Sequence, residues 1–264
     1  MAAADATFGS LFAAPGARIV SAEALLKEMN GAGVDVAVGL GYGWTDRAAA
    51  RLSNDYLIES AARSGGRIVP FCSVSPSWGE FALEEIERCA ALGARGIGEL
   101  HADTQGFQPQ AAGQSAGLEA VLAAAERLDL IVLIHGSEPV GRAYPGKGTT
   151  TPERLLSLAQ SFPGVRFVFG HWGGGLPFYA LMPEVRRELA NVWFDSAASP
   201  YLYRPEVFAA AAAAAGAERL LFGSDYPLLE QARALGDLRL AGLDKGAERA
   251  ISGANAARLL GLMT

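Results

Sequence analysis

Leu130-Ile131-Val132-Leu133-Ile134-His135, Val165-Arg166-Phe167-Val168-Phe169-Gly170-His171 and Leu220-Leu221-Phe222-Gly223-Ser224-Asp225 are three short apolar runs, each ending on a residue able to bind a metal. Strands buried on both faces read as continuous Val, Ile, Leu and Phe, because neither side meets water. In a barrel of alternating strands and helices, chemistry gathers at the C-terminal strand ends. Two of the chain's three histidines stand at such ends.

Working outward, the same unit repeats. Apolar runs predict strands at 34–40, 67–74, 94–101, 130–135, 165–170, 192–195 and 219–223. Amphipathic stretches between them predict helices: one capped by Ser21, one over 46–62, one opened by Ser75-Pro76-Ser77, then 118–128, 152–161, 176–190 and 205–215. The seven alanines Ala209 to Ala215 read as helix packed closely on the sheet. Helical material follows at 232–238 and 255–262. Regular strand-helix alternation predicts an α/β fold with a parallel sheet and helices outside it. At 264 residues the length suits one (β/α)8 TIM barrel over 1–264, with 1–20 as an irregular N-terminal segment. Only seven strands are counted, so the first stave of the barrel is expected to be missing or degenerate.

Acidic residues exceed basic ones by 28 to 22, and the basic ones are scattered. This argues against a nucleic-acid or anionic-membrane surface and leaves a small-molecule substrate as the expected partner. Cys72 and Cys89 form no C-x-x-C pair, and no run approaches the roughly 20 apolar residues of a membrane span. With no basic n-region at Met1 to Asp5, a cytoplasmic location is expected.

His135, at the end of the strongest strand, should face the barrel mouth, where an imidazole can ligate zinc or a similar ion. His171 precedes Trp172 and three glycines, which permit close backbone approach to a ligand; it could bind metal or move a proton. Asp225 is a carboxylate that is costly to bury without a cation, or else a helix cap. Asp195 reads as structural. Glu99 and His101, two apart, point to one side of their strand; at least one is a candidate for a metal or supporting role, the alternative being that strand-end polar residues anchor loops. Arg142, Tyr144 and Lys147 could clamp an anionic substrate group, and Trp44, Tyr42 and Trp172 could line the mouth.

Ile134-His135, Gly170-His171-Trp172-Gly173-Gly174, Leu221-Phe222-Gly223-Ser224-Asp225-Tyr226-Pro227 and Gly253-Ala254-Asn255-Ala256-Ala257-Arg258-Leu259-Leu260 occur in this order. Together they resemble the amidohydrolase-related family of metal-dependent (β/α)8 barrels, which includes hydrolases of lactones and amides and decarboxylases. The resemblance runs from Ser21 onward. It implies metal ligation by His135 and Asp225, and a proton-transfer or second-metal role for His171. The family opens with an aspartate-x-histidine-x-histidine strand, and no histidine occurs here before His101. Asp5-Ala6-Thr7-Phe8-Gly9 would be its degenerate trace; the alternative is a first strand lying upstream of Met1. Glu99, His101 or His171 must then supply a third ligand.

The expected function is therefore a metal-dependent hydrolase, with zinc the expected metal and manganese the other choice. Asp225 would accept the proton of the activated water and His171 would polarise the substrate. A non-oxidative decarboxylase of an aromatic or unsaturated acid is the alternative. A catalytically impaired barrel that binds a ligand, or completes itself by forming a homo-oligomer, is a third reading.

Overall fold

The computed structural model describes Asp5 and residues 19–109, 112–113 and 115–262. Seven parallel strands pair in sequence order, β1 (Ala37–Leu40), β2 (Ile68–Cys72), β3 (Gly96–Leu100), β4 (Ile131–Ile134), β5 (Arg166–Phe169), β6 (Val192–Asp195) and β7 (Leu220–Leu221). All seven sequence-predicted strands are present. Among the described residues the curled sheet has seven strands, and β1 and β7 do not pair with each other. The predicted Asp5 to Gly9 trace lies outside the described residues apart from Asp5. The Asp5 carboxylate accepts hydrogen bonds from the Thr45 and Asp46 backbone amides, both at 3.0 Å, which fixes it beside the loop after β1.

The helices follow the sequence cues. Ser21 caps α1 (Ala22–Ala32) and Asp46 caps α2 (Arg47–Arg63) through their side-chain oxygens. Then come α3 (Glu80–Ala91), α4 (Ala116–Arg127) and α5 (Pro152–Ser161), the last with proline at its first position. The single helix expected over 176–190 is instead two, α6 (Leu176–Tyr179) and α7 (Pro183–Glu188). Pro183 lacks an amide hydrogen and drives Met182 to an extended conformation (φ −83°, ψ 117°), which interrupts the helical ladder. The alanine run forms α8 (Val207–Ala215), and α9 (Gln231–Leu240) returns to α1, where Glu28 accepts a hydrogen bond from the Gln231 amide at 2.8 Å.

Two apolar layers hold the sheet. The larger one, between strands and helices, includes Ile97, Leu100, Val132, Ile134, Phe167, Phe169 and Phe194. The smaller one lies on the other face and gathers Val69, Phe71, Ile131, Leu133, Val168 and Leu221 beneath Leu259 of the last helix, Asn255–Leu259. Side chains alternate across a strand, so Ile131 and Leu133 put His135 on this inner face. β3 breaks the alternation. Ile97 and Leu100, three residues apart, both enter the helix-facing core, and the strand register shifts between them. Such an irregularity re-aims a side chain; here it turns Glu99 inward.

Candidate metal centre

At the C-terminal strand ends, Glu99, His135 and His171 bring ligand atoms within 4.8 Å of one another. Glu99 Oε1 lies 2.8 Å from His135 Nδ1 and 3.5 Å from His171 Nε2. A carboxylate only accepts, so His135 carries its proton on Nδ1 and donates it to Glu99. Its Nε2 is buried and has no hydrogen-bond partner. A buried lone pair without a partner is costly unless a ligand takes it. A histidine oriented by a carboxylate on one nitrogen and open on the other is the usual setting of a metal-binding imidazole.

Electrostatics separate the two histidines. Burial opposes the charge of Glu99, but the adjoining His135 and His171 imidazoles hold it well below the usual carboxylate range. Burial pushes His135 down to about 4 against the pull of Glu99, leaving it neutral. His171 is also penalised by burial, yet Glu99, Asp225 and Asp195 together carry it up to about 10. One carboxylate is thus matched by one imidazolium, His171, while His135 keeps a lone pair for a ligand.

His171 sits in an unusual turn. His171 (φ 54°, ψ 48°) and Trp172 (φ 60°, ψ 23°) are consecutive left-handed residues, followed by Gly173, Gly174 and Gly175 at positive φ. Left-handed backbone costs of order 1–3 kcal/mol for each non-glycine residue and persists only where surroundings impose it. They do: the Asp195 carboxylate accepts from the His171 amide at 3.0 Å, and Ser199 Oγ accepts from Trp172 Nε1 at 2.6 Å. Glycine is required at Gly136 and Gly174, where an added Cβ would fall 2.7 Å from Gly173 Cα and 2.3 Å from Ser137 O respectively. That close approach lets the His135 and His171 rings meet at 4.6 Å.

Asp225 is left-handed too (φ 62°) and stands at the rim, outside the 4.8 Å cluster. The residue as a whole is exposed, whereas its carboxyl lies near enough to His171, Glu99 and Asp195 to feel their charges. Loss of water pushes the carboxyl up to about 6; His171 pulls down while Glu99 and Asp195 push up.

His101 departs from the sequence expectation of a ligand. Its Nδ1 accepts from the Thr104 amide as the cap of the short helix Ala102–Gln105, and its Nε2 donates to Gly146 O at 3.0 Å. Both nitrogens are engaged, so His101 stacks on His135 at 4.4 Å without offering a lone pair. Trp172 is likewise corrected from mouth to core: it is 0% exposed and packs edge-on against Phe208. Trp44 is buried edge-on to Tyr42. Arg142 is exposed and donates to Tyr201 O, Lys147 donates to Val140 O and Arg142 O, and Tyr144 donates to Glu138. Both cations are therefore spent on neighbouring loop backbone rather than aimed at the cluster. Asp195 keeps the structural part expected of it, with a specific client in His171.

The chain matches the family model described as Amidohydrolase over residues 11–262. No curated protein matches it. Among solved structures it is similar to a mutant 5-carboxyvanillate decarboxylase from Novosphingobium aromaticivorans with bound manganese (TM-score 0.77, 19% identity, 97% of this chain and 89% of that one). It is also similar to 2,6-dihydroxybenzoate decarboxylase from Rhizobium (0.73, 21%, 96% and 95%) and to 5-carboxyvanillate decarboxylase from Sphingomonas paucimobilis (0.69, 21%, 89% and 81%). Likeness at these identities speaks for the fold.

Proposed function

The chain belongs to the amidohydrolase family, and from that premise we propose that it is a metal-dependent decarboxylase of a small aromatic or unsaturated acid. The observation that carries the reading is the Glu99–His135–His171 cluster with His135 Nε2 left open. The choice of decarboxylation over hydrolysis draws on the structural neighbours, which act on carboxylated phenols.

His135 would hold the metal through Nε2, with Glu99 orienting its ring from Nδ1, and Asp225 would join from the rim. A divalent cation there supplies charge to hold and polarise the substrate's carboxylate. Manganese, bound by one of the neighbours, and zinc are the two metals to try. His171 donates a proton from Nε2 to the carbon bearing the carboxylate. The bond to that carboxylate then breaks, its electron pair returns to the unsaturated system, and carbon dioxide leaves. The Nδ1 bond to Ala197 O at 3.2 Å keeps the imidazole in position, and the apolar layer under the strand ends excludes water from below. No helix among the described residues is long and apolar enough to cross a membrane. The reading is of a cytoplasmic enzyme with a small-molecule substrate and no nucleic-acid partner, and self-association is one route to covering the outer edge of β1, with which no strand among the described residues pairs.

The test is turnover of carboxylated phenols and unsaturated acids by manganese-loaded protein in D2O. Carbon dioxide release with one deuterium at the vacated carbon is expected. Hydrolysis is the second reading, favoured by Asp225, whose carboxyl at about 6 suits a base for water. Hydrolysis of lactones or amides, with no carbon dioxide from any acid, would replace the first reading by the second.

A further inference from the structure

We propose that Asp195 is a positioning residue which, through the loop after β6, fixes the orientation of the His171 ring and the hydrogen bond of its Nδ1. Three hydrogen bonds that anchor the left-handed His171–Trp172 pair come from one five-residue stretch. Asp195 Oδ1 accepts from the His171 amide at 3.0 Å and from the Ala197 amide at 2.9 Å. The second bond folds the loop so that Ala197 O faces the His171 ring, where it accepts from Nδ1 at 3.2 Å. A carbonyl can only accept, so Nδ1 keeps its hydrogen for Ala197 O, and the ring is turned so that Nε2 faces Glu99. Ser199 Oγ completes the cradle by taking the Trp172 indole hydrogen at 2.6 Å.

Neighbouring packing supports a fixed cradle rather than a mobile one. Gly223 of the next strand end lies so close that an added Cβ would be 3.1 Å from Ala197 N, and the Ser196 hydroxyl bridges the two loops by accepting from the Gly223 amide and donating to its carbonyl. Asp195 is buried, with no cation other than His171 acting on it. Its carboxylate is therefore committed to two backbone amides, and its removal would release His171 from two directions at once.

The test uses the full chain loaded with zinc and labelled with 15N-histidine, the His171 signals being assigned by their loss in His171→Gln. In the parent, the ring proton on Nδ1 of His171 is expected as a protected, slowly exchanging signal. Asp195→Ala should lose it, and Asp195→Asn, which keeps an oxygen in place, should restore it. A purely architectural aspartate would lower the melting temperature of Asp195→Ala and leave the His171 ring signal intact, which would overturn the proposal. Should Asp195→Ala fail to fold, Asp195→Ser, whose shorter side chain cannot span both amides, decides in its place: loss of the protected His171 ring signal supports the role, and an unchanged ring signal overturns it. Where a substrate is in hand, kcat should fall about 10–100-fold in Asp195→Ala, with KM within about twofold. The spectra are read without turnover, so this proposal and the decarboxylase reading fail separately.

Discussion

Two glutamates, the buried Glu85 and the half-buried Glu99, show how this fold treats a carboxylate it means to close and one it means to keep open. Glu85, on α3, is saturated: Arg88 grips it with Nε at 2.9 Å and Nη2 at 2.7 Å, Asn54 donates at 2.9 Å, and the Cys89 thiol lies at 3.5 Å. Glu99 faces two imidazoles, one at hydrogen-bond distance and one at 3.5 Å, with an unpartnered nitrogen close by. Both carboxyls are held low, but by different means. For Glu85 the cost of burial is outweighed by Arg88 and Asn54, which no ligand could displace. For Glu99 it is outweighed by histidines, which a metal could recruit. Satisfaction of every partner marks a structural charge, and incomplete satisfaction marks a working one.

Removing Glu85 should have the largest effect on folding. Glu85→Ala leaves Asn54 short of one acceptor and Arg88 with Asp55 as its remaining carboxylate partner, and a loss of about 1–3 kcal/mol is expected in urea unfolding, with the metal content of the folded fraction unchanged. Glu99→Gln should do the reverse, weakening metal binding about 10–100-fold in a competition titration while the melting temperature changes little. If Glu99→Gln instead unfolds the chain and binds metal normally, the contrast between the two glutamates collapses.

A smaller effect concerns acid. The Glu85 carboxyl is lowered in the folded chain, so its contribution to stability is complete above the ordinary carboxylate range and is lost as pH falls through the lowered value. Melting temperatures followed downward from neutral pH should fall less steeply for Glu85→Gln than for the parent, and parallel curves would remove Glu85 as the cause. Arg142→Ala should change least. Its guanidinium is exposed and bonded only to Tyr201 O, so stability should move by no more than about 0.5 kcal/mol and metal content not at all.

The strand ends were legible because a buried parallel strand writes its burial directly into Val, Ile, Leu and Phe. His135 followed from its run, since Ile131, Leu133 and His135 share one face by simple alternation. Glu99 was reachable by the same rule only in part. The shift between Ile97 and Leu100 that turns it inward arises from pairing with β4, which local sequence does not encode. His101 misled for a related reason: a histidine beside a strand end is a ligand or a cap, and the choice depends on Gly146, forty-five residues away. Trp172 looked like a mouth residue until the left-handed turn swung its indole into the core. The three glycines after it were the available signal, because they announce a turn that an ordinary strand-to-helix junction does not need. Pro183 was a plain stop inside a predicted helix, and the broken helix there was readable from proline chemistry alone.

The central claim, that the Glu99–His135–His171 cluster binds a divalent cation through His135, is tested most directly by elemental analysis of the full chain purified without chelators, alongside His135→Ala. About one metal ion per chain is predicted for the parent, falling below about a tenth of that in His135→Ala if the ligand's loss costs the usual 10-fold or more. Equal metal content in the two proteins would contradict the account.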